Sequence, residues 1–155
     1  MHFETKQIHS GFQKDQATGA RVTPVYQTNA YYFNNSAHAK KLFSLEETGN
    51  IYSRLGNPTN AVLEERVATL ENGAAGLTVA SGHAAQFITI TSLSGHGDNI
   101  VTSPFLYGGT HNQFKVTFKN LGIDVRFAEN LLPEAFDKQV DHKTKAIYLE
   151  TIGNP

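Results

Sequence analysis

The sequence predicts an α/β fold: a mainly parallel sheet flanked by helices, preceded by an extended N-terminal arm. Three observations lead there. From Asn57 onward, helical and strand-like stretches alternate in order. The connections between them are short, as expected where each helix returns the chain to a neighbouring parallel strand. Two of the strand-like runs, "GLTVA" and "AIYL", are apolar almost throughout, as strands covered on both faces are.

Residues 1–56 form the arm, with weak periodicity and aromatics in runs such as "VYQTNAYYF". One short helix is expected there, from about Ser36 to Glu47, with Ser36 as its cap and Ala39, Leu42 and Phe43 on one face. The rest of the arm reads as extended chain with turns. Residues 57–155 read as the first part of an α/β domain. Asn57-Pro58 is a helix start, Asn as N-cap and Pro at the first helical position. Leu63, Val67 and Leu70 then recur at helical spacing, and Asn72-Gly73 ends the helix. A strand is expected at 75–81, a helix from Gly82 to about Leu93 and a strand at 98–103. A helix at 108–122 places Phe114, Phe118 and Leu121 on one face and Gly122 at its end. A strand at 123–128, a helix at 133–140 with Pro133 in its first turn, and a strand at 145–150 complete the pattern.

Composition narrows the function classes. The 155 residues are 39% hydrophobic with a formal net charge of -1, so no basic surface points to nucleic acid or an anionic membrane. The absence of cysteine excludes disulfides, thiolate metal sites and a Cys nucleophile from these residues. The seven histidines lack metal-ligand spacing, so no metal is expected. The N-terminus has no apolar core of a secretory signal, and no apolar run approaches the ~20 residues of a membrane span. A cytoplasmic protein is expected. The run "KAIYLETIGNP" leaves a strand for an Asn-Pro turn, which reads as the N-terminal piece of a longer chain.

Ligands of open α/β sheets collect beyond the carboxyl ends of the strands, so those positions carry the candidate chemistry. Ser81 and Gly82 follow the strand expected at 75–81. They suit a plain helix cap or an anion held on the free amides of a helix start. His83 beside them is a ligand-facing ring or a surface residue. Tyr107, ahead of Gly108-Gly109, is packed loop or an aromatic cover for a flat ring. Asn154 is a turn residue or a neutral hydrogen-bond donor to a ligand oxygen. In "TGNIYSRLGNPTN", Arg54 is a solvated surface charge or a fork placed for phosphate, with Tyr52 two positions away between Gly49 and Gly56.

Five stretches, "TGARVTPVYQTNAYYF", "GNIYSRLGNPT", "LTVASGHAAQ", "GDNIVTSPFLYGGTHNQF" and "KAIYLETIGNP", resemble in order the Cys/Met-metabolism family of pyridoxal 5'-phosphate (PLP) enzymes. Within that family "ETIGNP" and "GGTHNQF" look like the O-acetylhomoserine sulfhydrylases. Cystathionine synthases and lyases and methionine γ-lyases more often carry E-[ST]-P-x-N-P at the first of these. The resemblance implies the N-terminal part of a fold-type I PLP-dependent transferase domain. It implies that Ser81, Gly82 and His83 bind the cofactor phosphate and that Tyr107 stacks on the pyridine ring and takes part in proton transfer. Asn154 would bond the phenolic oxygen, and Tyr52 and Arg54 would reach the phosphate of a neighbouring subunit, in a homo-oligomer built as a dimer of dimers. Relatives more often have Gln or Met at the position of His83, a departure tolerated where the backbone does the binding.

The implied reaction is γ-replacement: acetate leaves O-acetyl-L-homoserine and sulfide or a thiol adds at Cγ. The Schiff-base lysine of the family stands in a Ser-x-Thr-Lys-like context that no lysine here shares; Lys145 follows Thr144 into a strand. These residues alone are therefore expected to be inactive. The alternatives are a cystathionine γ-synthase or methionine γ-lyase-like member of the same family, or a non-catalytic chain that only binds or oligomerises.

Overall fold

The computed structural model describes residues 1–153 and divides into two compact units, the first Met1–Thr78 and the second from Val79 onward. The α/β layers expected from the sequence are in the second unit. Its sheet has three parallel strands, β1 (Asn99–Thr102), β2 (Asp124–Phe127) and β3 (Thr144–Tyr148), in the order β2-β1-β3. Helix α4 (Gly82–Leu93) precedes β1. Helix α5 (Gly108–Asn112), continued by a π-helical segment Gln113–Phe118, links β1 to β2, and α6 (Pro133–Asp137) links β2 to β3.

The central strand explains the layering. Successive side chains of a strand point to opposite faces, and all four residues of β1 are buried. Ile100 joins Ile90 of α4 with Leu106, Phe114, Phe118 and Ile123 on one face. Val101 joins Ala128, Ala135 and Phe136 of the α6 layer on the other. Phe114 and Phe118, expected to share a face, are both 0% exposed with ring centroids 5.3 Å apart. Leu121, expected with them, is 44% exposed. Leu121 stands in the turn that follows the helix, where Gly122 (φ +76°) redirects the chain toward β2, so helical spacing no longer sets its face.

At the amino end of the sheet, buried Asn99 donates to Asp141 (2.8 Å) and accepts from the Thr144 hydroxyl (2.7 Å). Arg126 bridges Asp124 and Asp141, each at 2.9 Å. The Asn99 amide, the Lys143 backbone N–H and the Arg126 guanidinium together hold the Asp141 carboxyl well below the usual carboxylate range.

The first unit holds three helices, α1 (Phe3–His9), α2 (Ser36–Phe43) and α3 (Pro58–Leu70). Helix α1 lies where extended chain is expected, since seven residues give too little periodicity to read. It precedes Gly11 (φ +75°), where a Cβ would stand 2.3 Å from the Val62 carbonyl oxygen of α3, so only glycine lets the chain lie so close. Helix α2 is capped by Asn35, whose side chain accepts from the His38 amide; Ser36 is already inside the helix. Its Leu42 is buried, but Phe43 is exposed, its ring 6.0 Å from that of Phe33. Asn57 caps α3 as expected, and Asn72 takes the left-handed conformation (φ 53°) that ends it. The apolar residues Leu63 and Val67 on α3 stay half-exposed.

The strand expected at 75–81 is absent. A β-strand needs a neighbour to bond with, and none of the described residues forms a ladder with this segment. The carboxylate of Glu64 instead takes the Thr78 amide (2.9 Å) and hydroxyl (2.7 Å), and Leu77 is 72% exposed.

Candidate functional site

The site of the second unit begins at the first turn of α4. Ser81 is extended and caps the helix, its Oγ accepting from the Ala84 amide at 3.1 Å. Its carbonyl accepts from the Ala85 amide at 3.0 Å. The amides of Gly82 and His83 donate to nothing among the described residues, so two N–H groups are free at the positive end of a 12-residue helix. A Cβ on Gly82 would meet nothing within 4 Å, so that side of the first turn is open. Capping and anion binding are compatible here. The Ser81 oxygen accepts with a lone pair, and its proton stays free to donate.

Tyr107 stands beside this turn. Its ring centroid lies 5.7 Å from that of His83, at 35° between planes, and the residue is 51% exposed. One side of the ring meets His83 and, among the described residues, much of the rest is open. Its amide donates to Glu150 Oε2 at 3.0 Å, which ties the loop after β1 to the segment after β3. Asn154, the third candidate at a strand end, lies outside the described residues.

A polar layer beneath these residues escaped sequence reading. Gln86 Nε2 donates to Thr110 Oγ1 (3.0 Å) and Tyr148 Oη (2.8 Å), joining α4, α5 and β3. Gln113 Nε2 donates to the His83 carbonyl at 3.1 Å. Burial pushes the Tyr148 phenol up, against the opposing Gln86 hydrogen bond, so it stays protonated. The available signal was a lone polar Gln86 in the otherwise apolar "AAQFITI".

The other candidates, Tyr52 and Arg54, belong to the first unit. Tyr52 pairs with Ala30 in an isolated antiparallel bridge, reinforced by Ser53 N–H to the Asn29 carbonyl (2.9 Å). The next residues turn sharply, with the Tyr52 carbonyl accepting from Leu55 (2.8 Å) and Gly56 (3.1 Å). Arg54 sits inside that turn, exposed, without an ion pair among the described residues, its guanidinium carbon 5.7 Å from the Tyr52 ring centroid. Asn57 anchors the loop. Its Oδ1 caps α3 through Thr59 N–H (2.9 Å), while Nδ2 donates to the Tyr26 carbonyl (2.9 Å) and Ser53 Oγ (3.0 Å). Among the described residues, Arg54 is thus a cation without an ion pair, on a loop held by Asn57.

In the second unit, a pair of helix amides and an open aromatic ring suit a phosphorylated flat ligand, the ligand class of the resemblance above. Arg54 of the first unit is, by itself, a cation of the kind that pairs with phosphate. A family model described as Cys/Met metabolism PLP-dependent enzyme matches residues 4–155. The chain belongs to this family. It is 54% identical to the homocysteine/cysteine synthase of Saccharomyces cerevisiae, covering 99% of this chain and 35% of the yeast protein. It is also 54% identical to O-acetyl-L-homoserine sulfhydrylase 1 of Thermus thermophilus, covering 100% of this chain and 37% of that protein. A solved structure named as an O-acetylhomoserine (thiol)-lyase of Campylobacter jejuni superposes with a TM-score of 0.92 at 41% identity. It is covered over 38% of its length, covers all of this chain, and carries N'-pyridoxyl-lysine-5'-monophosphate. The chain therefore spans a little over a third of the relatives it matches. The residues present fit the family's cofactor: the open cradle at Gly82 and the two free amides provide a phosphate site, and Tyr107 a ring surface.

Proposed function

We propose that these residues are the N-terminal part of a PLP-dependent O-acetylhomoserine sulfhydrylase. The full protein replaces the acetate of O-acetyl-L-homoserine by sulfide, giving homocysteine and acetate, or by a thiol, which gives methionine when the thiol is methanethiol. The observation that carries this reading is 54% identity over essentially the whole chain to relatives named for that chemistry.

Bound PLP supplies an electron sink for the substrate's α-carbon. The chain's own residues bind and orient. The Gly82 and His83 amides and the Ser81 hydroxyl hold the phosphate dianion, where the helix dipole favours negative charge. Tyr107 covers the pyridine ring and holds or moves a proton at its phenolic oxygen. Asn154 donates to the cofactor's phenolic oxygen. Tyr52 and Arg54 serve the phosphate site of a neighbouring identical subunit, in a dimer of dimers. These 155 residues alone are inactive, because none of their lysines has the context of the family's cofactor lysine. The proposed compartment is the cytoplasm, following from the biosynthetic role.

The test supplies the protein, in its natural full length and with PLP, with O-acetyl-L-homoserine and sulfide and, in a parallel assay, with methionine. Homocysteine and acetate released in equal amounts are the expected result. Dominant keto-acid release from methionine, with little homocysteine formed, would move the protein to the γ-lyases.

A further inference from the structure

Gly108 and Gly109 open α5 side by side, and their sequence makes them equivalent. Their surroundings do not. A Cβ on Gly108 would meet nothing within 4 Å. A Cβ on Gly109 would stand 2.6 Å from His83 Cε1, 2.6 Å from Tyr107 Cε1 and 2.7 Å from His83 Nε2. Unbonded carbons rest at about 3.5–4.0 Å, so the hydrogen of Gly109 is what leaves both rings room in one corner. The backbone at Gly109 is outside the left-handed region that favours glycine, so helix geometry does not demand it.

What yields to an added methyl is also determined. The His83 carbonyl is held by Gln113 and the Tyr107 amide by Glu150, so both backbones are tied. Both side chains are exposed and free to turn. An added Cβ therefore displaces rings and leaves the fold in place. We propose that Gly109 is a positioning residue: through its contact with the His83 and Tyr107 rings it sets the plane of the Tyr107 ring that faces the cofactor. This rests on the PLP reading above. It assigns His83 a side-chain role, as the wall against which Tyr107 is set, beside the backbone role the phosphate requires.

The test compares Gly109→Ala with Gly108→Ala in the full-length protein. It uses three measurements: the thermal midpoint, the NMR shift of the His83 imidazole C–H, which senses the neighbouring Tyr107 ring, and PLP affinity by titration. The His83 resonance is assigned by its loss in His83→Ala. In Gly109→Ala the thermal midpoint holds, the His83 resonance moves, and PLP binds about 3- to 10-fold more weakly, the range expected for a displaced aromatic contact. Gly108→Ala matches the unaltered protein in all three. Adding His83→Ala to Gly109→Ala removes half of the crowding and regains part of the lost affinity. Four results would overturn the proposal: unchanged PLP affinity in Gly109→Ala, whether or not the His83 resonance moves; equal losses in the two alanine variants; a lowered midpoint in Gly109→Ala that His83→Ala does not relieve; or additive affinity losses in the double variant. Failure of the unaltered protein to bind PLP would overturn the cofactor reading and this proposal with it. Equal affinity in all variants would overturn this proposal alone.

Discussion

Among the described residues, the second unit buries Ile90, Ile100, Val101, Leu106, Phe114, Phe118 and Ile123, an apolar set gathered on both faces of one strand. The first unit buries Leu42, Ala68 and the polar Asn57. It leaves Val22, Val25, Leu63 and Val67 open to solvent. Each unit carries candidate site residues, held in place by different physics. His83 and Tyr107 stand at the ends of elements fixed by a packed core. Tyr52 and Arg54 stand on a loop fixed by hydrogen bonds that converge on one asparagine. Apolar burial is non-directional and spreads its effect over many neighbours. A polar anchor concentrates it, because a half-buried amide that loses its partners leaves several groups unsatisfied at once.

Three substitutions probe that difference. The largest effect is expected at Phe114→Ala, which empties the middle of the second unit's core. It should cost about 3–5 kcal/mol of unfolding free energy in denaturant titration. A loss under about 1 kcal/mol would mean the aromatic core does not hold the sheet to its helices. Next comes Asn57→Ala, which removes the cap of α3 and the two donors to Tyr26 and Ser53. The cap alone is worth about 0.5–2 kcal/mol, and hydrogen exchange should speed at Tyr52–Gly56 before it does in β1. Unaltered exchange in that loop would show that something other than Asn57 places it. The smallest effect on stability is expected at Arg54→Ala. An exposed residue without an ion pair should change stability by less than about 0.5 kcal/mol. PLP affinity of the full-length protein should nonetheless fall several-fold if the proposed guanidinium–phosphate pair is lost. Unchanged affinity would remove Arg54 from the site and leave its contact with Tyr52 as its whole role.

The outcomes follow the range of each signal. Asn57-Pro58 starts its helix and Ser81-Gly82 starts the next because a cap bonds to amides two or three residues away. Gly122 (φ 76°) ends the helix before β2 for a similarly local reason. Such interactions are complete within a few residues, and so are the helix-start amides at Gly82 and His83 and each of the motifs that point to the family. The apolar run at 75–81 has equally strong strand character, yet strand bonds are made to another segment, and none of the described residues supplies one.

By itself, then, the sequence determined the capped helix starts at Asn57-Pro58 and Ser81-Gly82, which runs are apolar, and which family's motifs are present. Only the tertiary structure decided which apolar run becomes a strand and that Gln86 of α4 reaches Thr110 and Tyr148. It alone separated Gly109 from Gly108, one pressed between two rings and the other facing open space. Caps and turns are closed by neighbours in the chain, whereas ladders, side-chain networks and close approaches are closed by neighbours in space.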